Sequence, residues 1–368
     1  MSTRAPASII SEKKQGISAS LKDRLHARLV EWFDVHQRKL PWRTTKDPYA
    51  IWLSEVMAQQ TRVETAIPYY EKFLAAYPTV HHLAEAPLEG VLGLWSGLGY
   101  YRRARMLHRT AGDLCRSHSG RFPRTKVELE TLSGIGPYTA GAIASIAFRE
   151  PASVVDGNVV RVLARIFNDD ADGRTPAGLG HFRSLADALI HDDRPGDWNQ
   201  ALMELGATVC TPREPACGAC PVSEWCEGRR VGTASDLPRL AKKPKPIPVA
   251  YDALVAAGPG RVLLAERSHE GLFGGLLEPP LFDANPTLSE AAFTAGMSLT
   301  GALGTVHHTL SHRKFSVAVH RATQPVDGVP ALPMSSAYVA FHLVAWPLPE
   351  GARVSTLARK ILAFSLET

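Results

Sequence analysis

No stretch of the 368-residue chain is apolar for long enough to cross a bilayer, which excludes a membrane-spanning helix. The first twenty residues mix Ser, Ala, Lys and Pro and lack the apolar core of an export signal, so residues 1–20 are expected to form a disordered tail on a cytoplasmic protein. Cysteine is scarce. Five residues, an odd number in so long a chain, argue against a disulfide framework. An excess of charge of one sign is also missing: 41 Lys and Arg against 36 Asp and Glu leave a formal net charge of +5. A broadly basic nucleic-acid binder is thereby excluded, and any such footprint must be a local patch.

Hydrophobic residues make up 45% of the chain, enough for at least two cores. Leu21, Leu25, Leu29, Trp32 and Phe33 recur at helical spacing, and helical patterns follow through Tyr49 to Ala76, Leu88 to Trp95, Tyr101 to Ser117, Val127 to Leu132, Tyr138 to Phe148, Val159 to Phe167, Gly180 to Ile190 and Trp198 to Cys210. From Glu227 to Pro248 the text turns to Arg, Gly, Ser and Pro and reads as a stiff basic linker. Beyond it, Tyr251 to Ala257, Val262 to Glu266, Phe315 to His320 and Val339 to Trp346 read as strands, with helical patterns at Leu288 to Met297 and Val354 to Leu366. An all-α half followed by an α+β half is expected.

Two local patterns carry chemistry. Leu132-Ser133-Gly134-Ile135-Gly136-Pro137-Tyr138 places glycines where an apolar helix opens, so free backbone N–H groups and a positive helix end can meet a phosphate. This is a helix-hairpin-helix pattern, although glycines can also simply allow two helices to pack closely. Cys210, Cys217, Cys220 and Cys226, spaced C-x6-C-x2-C-x5-C, gather four thiolates in a short Pro- and Gly-rich span and imply a metal centre. Zinc competes for it, but structural zinc sites usually use two short pairs, and only Cys217 and Cys220 form one; a 4Fe-4S cluster is favoured. Cys115 reads as a buried filler.

The hairpin, the following Asp156, the cysteine spacing and the segments Leu40-Pro41-Trp42-Arg43, Trp52-Leu53-Ser54-Glu55-Val56-Met57, Gln59-Gln60-Thr61-Arg62-Val63 and Gly97-Leu98-Gly99-Tyr100-Tyr101 resemble the endonuclease III superfamily, and within it the adenine DNA glycosylases of the MutY family. The resemblance implies a helical glycosylase domain with an iron-sulfur loop at residues 21–228, a linker at 229–248 and a Nudix-like domain at 249–368 that inspects 8-oxoguanine. Between Gly271 and Gly301 the only acidic residues are Glu278, Asp283 and Glu290, too few for a metal-holding glutamate helix, so that domain is expected to read a base and not to hydrolyse a nucleotide. The implied partner is double-stranded DNA containing adenine opposite 8-oxoguanine or guanine. The protein is expected to act as a monomer, nucleoid-associated if bacterial.

Cleaving an N-glycosidic bond needs a proton for the leaving base and stabilisation of an oxocarbenium-like sugar. Glu55, flanked by Ile51, Trp52, Leu53, Val56 and Met57, is placed to remain neutral and donate to adenine. Asp156, before the Val159 to Phe167 helix, is placed to remain charged and face the sugar, although an aspartate there can equally be only an N-cap. The resemblance assigns both roles and adds Asn158 beside Asp156. It also sets Tyr138 where endonuclease III carries an imine-forming lysine; no lysine occurs from Val127 to Ala241, so a monofunctional enzyme is implied. Arg38, Trp42 and Gln200 are implied for the adenine pocket. Gln60, Thr61, Leu98 and Tyr100 are implied for wedging the duplex, with Arg102, Arg103 and Arg105 on phosphates, and Gly134 and Gly136 for the phosphate turn. Ser311 and His312 are implied for 8-oxoguanine, with Leu310 where the family has phenylalanine and Ala58 where it has a larger residue.

Overall fold

In a computed structural model, residues 17–241, 244–269, 271–283, 288, 292, 297–310, 312–323 and 337–366 are described. Contacts group the chain into two compact units, residues 1–81 with 109–242, and residues 82–108 with 243–368.

In the first unit, helix α1 (Ala19–His36) starts inside the span expected as a tail, because the Ser18 side chain accepts from the Leu21 N–H and caps it. Its buried stripe, Leu21, Leu25, Leu29 and Phe33, packs with Val159 and Leu163 of α9 (Gly157–Ile166) and with Trp198, Leu202 and Leu205 of α11 (Pro195–Thr208). Each such side chain contributes about 1.5–3 kcal/mol on burial. The pattern expected as continuous from Tyr49 to Ala76 is two helices, α2 (Pro48–Ala58) and α3 (Val63–Ala76). The interruption falls at Gln60, whose φ of 57° no helix accommodates. Part of the expected linker belongs to this unit: Leu237 is 4% exposed in its core and accepts from Arg165 Nε at 3.0 Å.

The phosphate-turn pattern lies between α7 (Lys126–Glu130) and α8 (Pro137–Phe148). Gly134 has φ 89°, a conformation only glycine adopts without strain, and Gly136 caps α8 with no side-chain hydrogen bond. Close packing fixes another glycine: a Cβ on Gly206 of α11 would lie 2.6 Å from Asn158 Cβ.

The second unit is a mixed sheet in the order β3 (Leu277–Glu278), β2 (Arg261–Arg267), β1 (Ile247–Gly258), β6 (Arg313–Ala322) and β5 (Leu299–Thr309), with β4 (Leu281–Asp283) added to β1 and β7 (Tyr338–Ala345) to β2. Strand β1 runs parallel to β6, from the pair Ile247 with Arg313 to Ala256 with Ala322, whereas β2, β5 and β7 join antiparallel. The C-terminal helix Thr356–Leu366 buries Leu357, Ile361 and Leu362 against Val255, Phe315 and Val317. The expected helix from Leu288 to Met297 lies mostly outside the described residues.

Segment 82–108, expected with the helical half, is fastened to this α+β unit. Ser96 Oγ donates to the Ala352 carbonyl at 2.9 Å, Tyr101 Oη to Val354 at 3.2 Å and Arg105 Nη1 to Gly274 at 2.5 Å. No helix among the described residues is long and apolar enough to cross a membrane.

Candidate active site

A cavity of about 740 Å³ opens in the helical unit, and it brings together Glu55, Tyr138, Asp156 and Asn158 with Arg38, Trp42, Gln60, Thr61 and Gln200. Glu55 projects from α2, which Asp47 caps and Pro48 opens. Burial lifts its carboxyl to about 7, helped by the nearby Asp156 charge, while a hydrogen bond from Tyr138 Oη at 2.5 Å works against the rise. Tyr138 stands on the first turn of α8, and burial beside two carboxylates holds its hydroxyl well above the ordinary tyrosine range.

Asp156 is the N-cap of α9, accepting from the Val159 N–H at 2.7 Å and from Asn158 Nδ2 at 2.8 Å. Its cap geometry is as expected, but its electrostatics differ. Burial raises the carboxyl, and the helix-end donors only offset part of that rise. Helix-end charge is legible from neighbours in sequence, whereas burial comes from elements far along the chain.

The pocket wall carries an ion-pair cluster that sequence reasoning did not single out. Arg38 donates to Glu204 through Nε at 2.8 Å and Nη2 at 2.9 Å, and Arg43 donates to the same carboxylate at 2.7 Å. Burial would raise Glu204, yet the two guanidiniums outweigh it and hold the carboxyl down at about 2. Trp42 packs edge-on against Tyr70 at 5.3 Å, and the Gln200 amide donates to the Gly196 carbonyl at 3.3 Å.

Of the two segments expected to wedge a duplex, Gln59–Thr61 lies at the cavity rim with Gln60 exposed. In the other, Tyr100 is 48% exposed but Leu98 is only 6% exposed, so the Leu98 side chain belongs to the interior. Arg103 and Arg105 correct a second expectation. Both turn inward, Arg103 to the carbonyls of Leu98 and Gly99 and Arg105 to Gly274, so neither is presented to phosphates as expected. In the α+β unit, His312 lies at the turn between β5 and β6, with its carbonyl accepting from the Ile247 N–H at 3.0 Å; Ser311 lies outside the described residues.

Cys210, Cys217, Cys220 and Cys226 line one small cavity with Val162, Arg165 and Ile166 of α9. Burial pushes the Cys220 thiol up to about 12 and Cys226 to about 11, so thiolates here need compensating positive charge. Part of it is built in: Arg165, 1% exposed, sets Nη1 3.3 Å from Cys210 Sγ and donates to the carbonyls of Thr211 and Pro212. The donor set and its charge fit an iron-sulfur group. Among the described residues no three His, Cys, Asp or Glu side chains converge closely enough for a single ion. Arg161, one turn before Arg165, joins this loop to the pocket by donating to the Cys210 carbonyl at 2.8 Å and to Asn158 Oδ1 at 2.8 Å. An arginine buried between Val162 and Ile166 was the sequence signal for this clasp.

A family model described as the HhH-GPD superfamily base excision DNA repair protein matches residues 53–178, and the iron-sulfur binding domain of endonuclease III matches residues 210–226. Together with the helical unit and its cavity, these matches define a base excision repair glycosylase with an iron-sulfur binding loop. The chain is 36% identical to the adenine DNA glycosylase of Rattus norvegicus over 90% of this chain and 76% of the relative. It is 39% identical to that of Arabidopsis thaliana, over 68% of this chain and 46% of the relative. A solved structure of a thermostable thymine-DNA glycosylase, 27% identical, superposes with a TM-score of 0.53 over 58% of this chain and 98% of that one. The chain belongs to the adenine DNA glycosylase family.

Proposed function

We propose that this enzyme is a monofunctional glycosylase that excises adenine opposite 8-oxoguanine, and less efficiently opposite guanine. The observation that carries the proposal is Glu55, a carboxyl held at about 7 in a cavity it shares with Asp156. Protonated, Glu55 donates to the N7 of a flipped adenine, and the glycosidic electron pair leaves with the base. Asp156, steadied by Asn158 and the Val159 N–H, faces the oxocarbenium-like sugar with negative charge. Water then adds to the sugar carbon, its departing proton passing to the Glu55 carboxylate left by the first transfer, and an abasic site remains. Tyr138, hydrogen-bonded to Glu55, orients the acid, and its phenol forms no imine that could cleave the strand.

The wall formed by Arg38, Trp42 and Gln200 receives the adenine, with Glu204 holding Arg38 in place. Gln60, Thr61 and Tyr100 enter the duplex, and the turn at Gly134 and Gly136 offers backbone N–H groups to a phosphate. Cys210, Cys217, Cys220 and Cys226 would hold a 4Fe-4S cluster, and its iron-thiolate bonds would tie the ends of the 210–226 loop together. The unit containing residues 243–368 serves as the 8-oxoguanine reader, with Ser311 and His312 as its recognition residues.

Duplexes that differ only in the base opposite adenine test this function. Faster excision opposite 8-oxoguanine than opposite thymine is expected, and equal rates would refute it. For the reader, Ser311→Ala with His312→Ala should lower the preference for 8-oxoguanine over guanine by about tenfold, the scale of one or two hydrogen bonds. Excision opposite guanine should change less, and an unchanged preference would remove these residues from recognition.

A further inference from the structure

Tyr100 stands in a turn whose backbone is not self-supporting. Gly97, Gly99 and Tyr100 all have positive φ, 101°, 75° and 49°, and of the three only Tyr100 carries a side chain that makes this costly. Such a conformation persists only where the surroundings impose it. Here a column of side chains does so. Trp95 is fully buried, and its Nε1 donates to the Gly99 carbonyl at 2.9 Å. The Arg103 guanidinium lies 5.3 Å from the Trp95 ring and 5.4 Å from the Tyr100 ring, and it donates to the same Gly99 carbonyl at 3.1 Å. Tyr100, at the outer end of the column, is 48% exposed.

We infer that Arg103 is a positioning residue for Tyr100, fixing the angle at which that ring meets the base stack. The inference rests on the assignment of Tyr100 as a duplex wedge. A planar guanidinium can contact two aromatic faces while donating in its own plane, which an ammonium cannot do. Burial lowers Arg103 to about 10, which still leaves it charged at neutral pH. The arrangement also explains why an arginine in a motif otherwise suited to phosphates points inward.

The test is a double-mutant cycle in the full-length, iron-loaded protein, measuring single-turnover excision opposite 8-oxoguanine with rates normalised to the active fraction. Tyr100→Ala should slow excision by about tenfold, the effect of losing one base stack. Arg103→Lys should slow it comparably while leaving iron content and melting temperature near those of the parent. The double variant should be no slower than Tyr100→Ala alone, because both changes remove one interaction. Losses that multiply to roughly 100-fold, or an Arg103→Lys protein with parental rates, overturn the inference and leave the wedge assignment standing. Parental rates in Tyr100→Ala overturn the wedge assignment itself, and the inference with it. If the lysine variant fails to fold, Arg103→Gln, which keeps a donor for the Gly99 carbonyl but no charge between the rings, carries the same cycle.

Discussion

Glu55→Gln is expected to slow adenine excision by at least about 10²-fold, the range for removal of a general acid, while duplex affinity changes little because the amide occupies the same volume. The pH dependence follows from the carboxyl held at about 7. An acid is competent below its pKa, so excision should fall as pH rises through neutrality, and the glutamine variant should lose that limb. The same shift has a cost in stability. A carboxyl raised on folding binds its proton more tightly in the native state than in the unfolded chain, so its contribution is favourable at low pH and is lost as pH rises from the ordinary glutamate range through about 7. Glu55→Gln should therefore melt at a higher temperature than the parent at pH 8, with a smaller difference at pH 5. A variant that turns over normally would eliminate Glu55 as the acid.

Cys217→Ser is expected to lose iron and DNA binding together. Thiolate clusters assemble with the fold that surrounds them, so removing one ligand opens the 210–226 loop. Arg165 and Arg161 clasp that loop from α9, which Asp156 caps, so the loss should extend to the pocket. The parent protein should be brown and carry about four irons per chain, read by metal analysis and visible absorbance. Stoichiometric zinc without iron would show that the thiols hold a different metal.

What the sequence disclosed depended on range. Helices with a continuous apolar stripe, such as α1 and α9, were legible because the spacing that forms the stripe lies within the helix itself, whatever distant element it packs against. The break between α2 and α3 was not, since glutamine gives no warning of the left-handed conformation at Gln60. Strand β5 was missed as well: its text, with Gly301, Gly304 and mostly exposed side chains, lacks alternation, and only pairing with β6 makes it a strand. In the site, Glu55 showed its apolar setting in its own helix. The Arg38–Glu204 pair spans 166 positions and left no local trace. Burial of Leu98 was hidden for the same reason, because its environment is assembled from distant parts of the chain.

Chain order and spatial order disagree at residues 82–108, and this affects any attempt to exchange recognition modules between relatives. A chimera joined only at the linker would import the acceptors Ala352, Val354 and Gly274 while retaining the host's donors Ser96, Tyr101 and Arg105. Such a hybrid pairs two half-interfaces that were never matched to each other, and Tyr100 stands on the mismatched half. The transferable cassette is discontinuous: residues 82–108 must travel with residues 243–368.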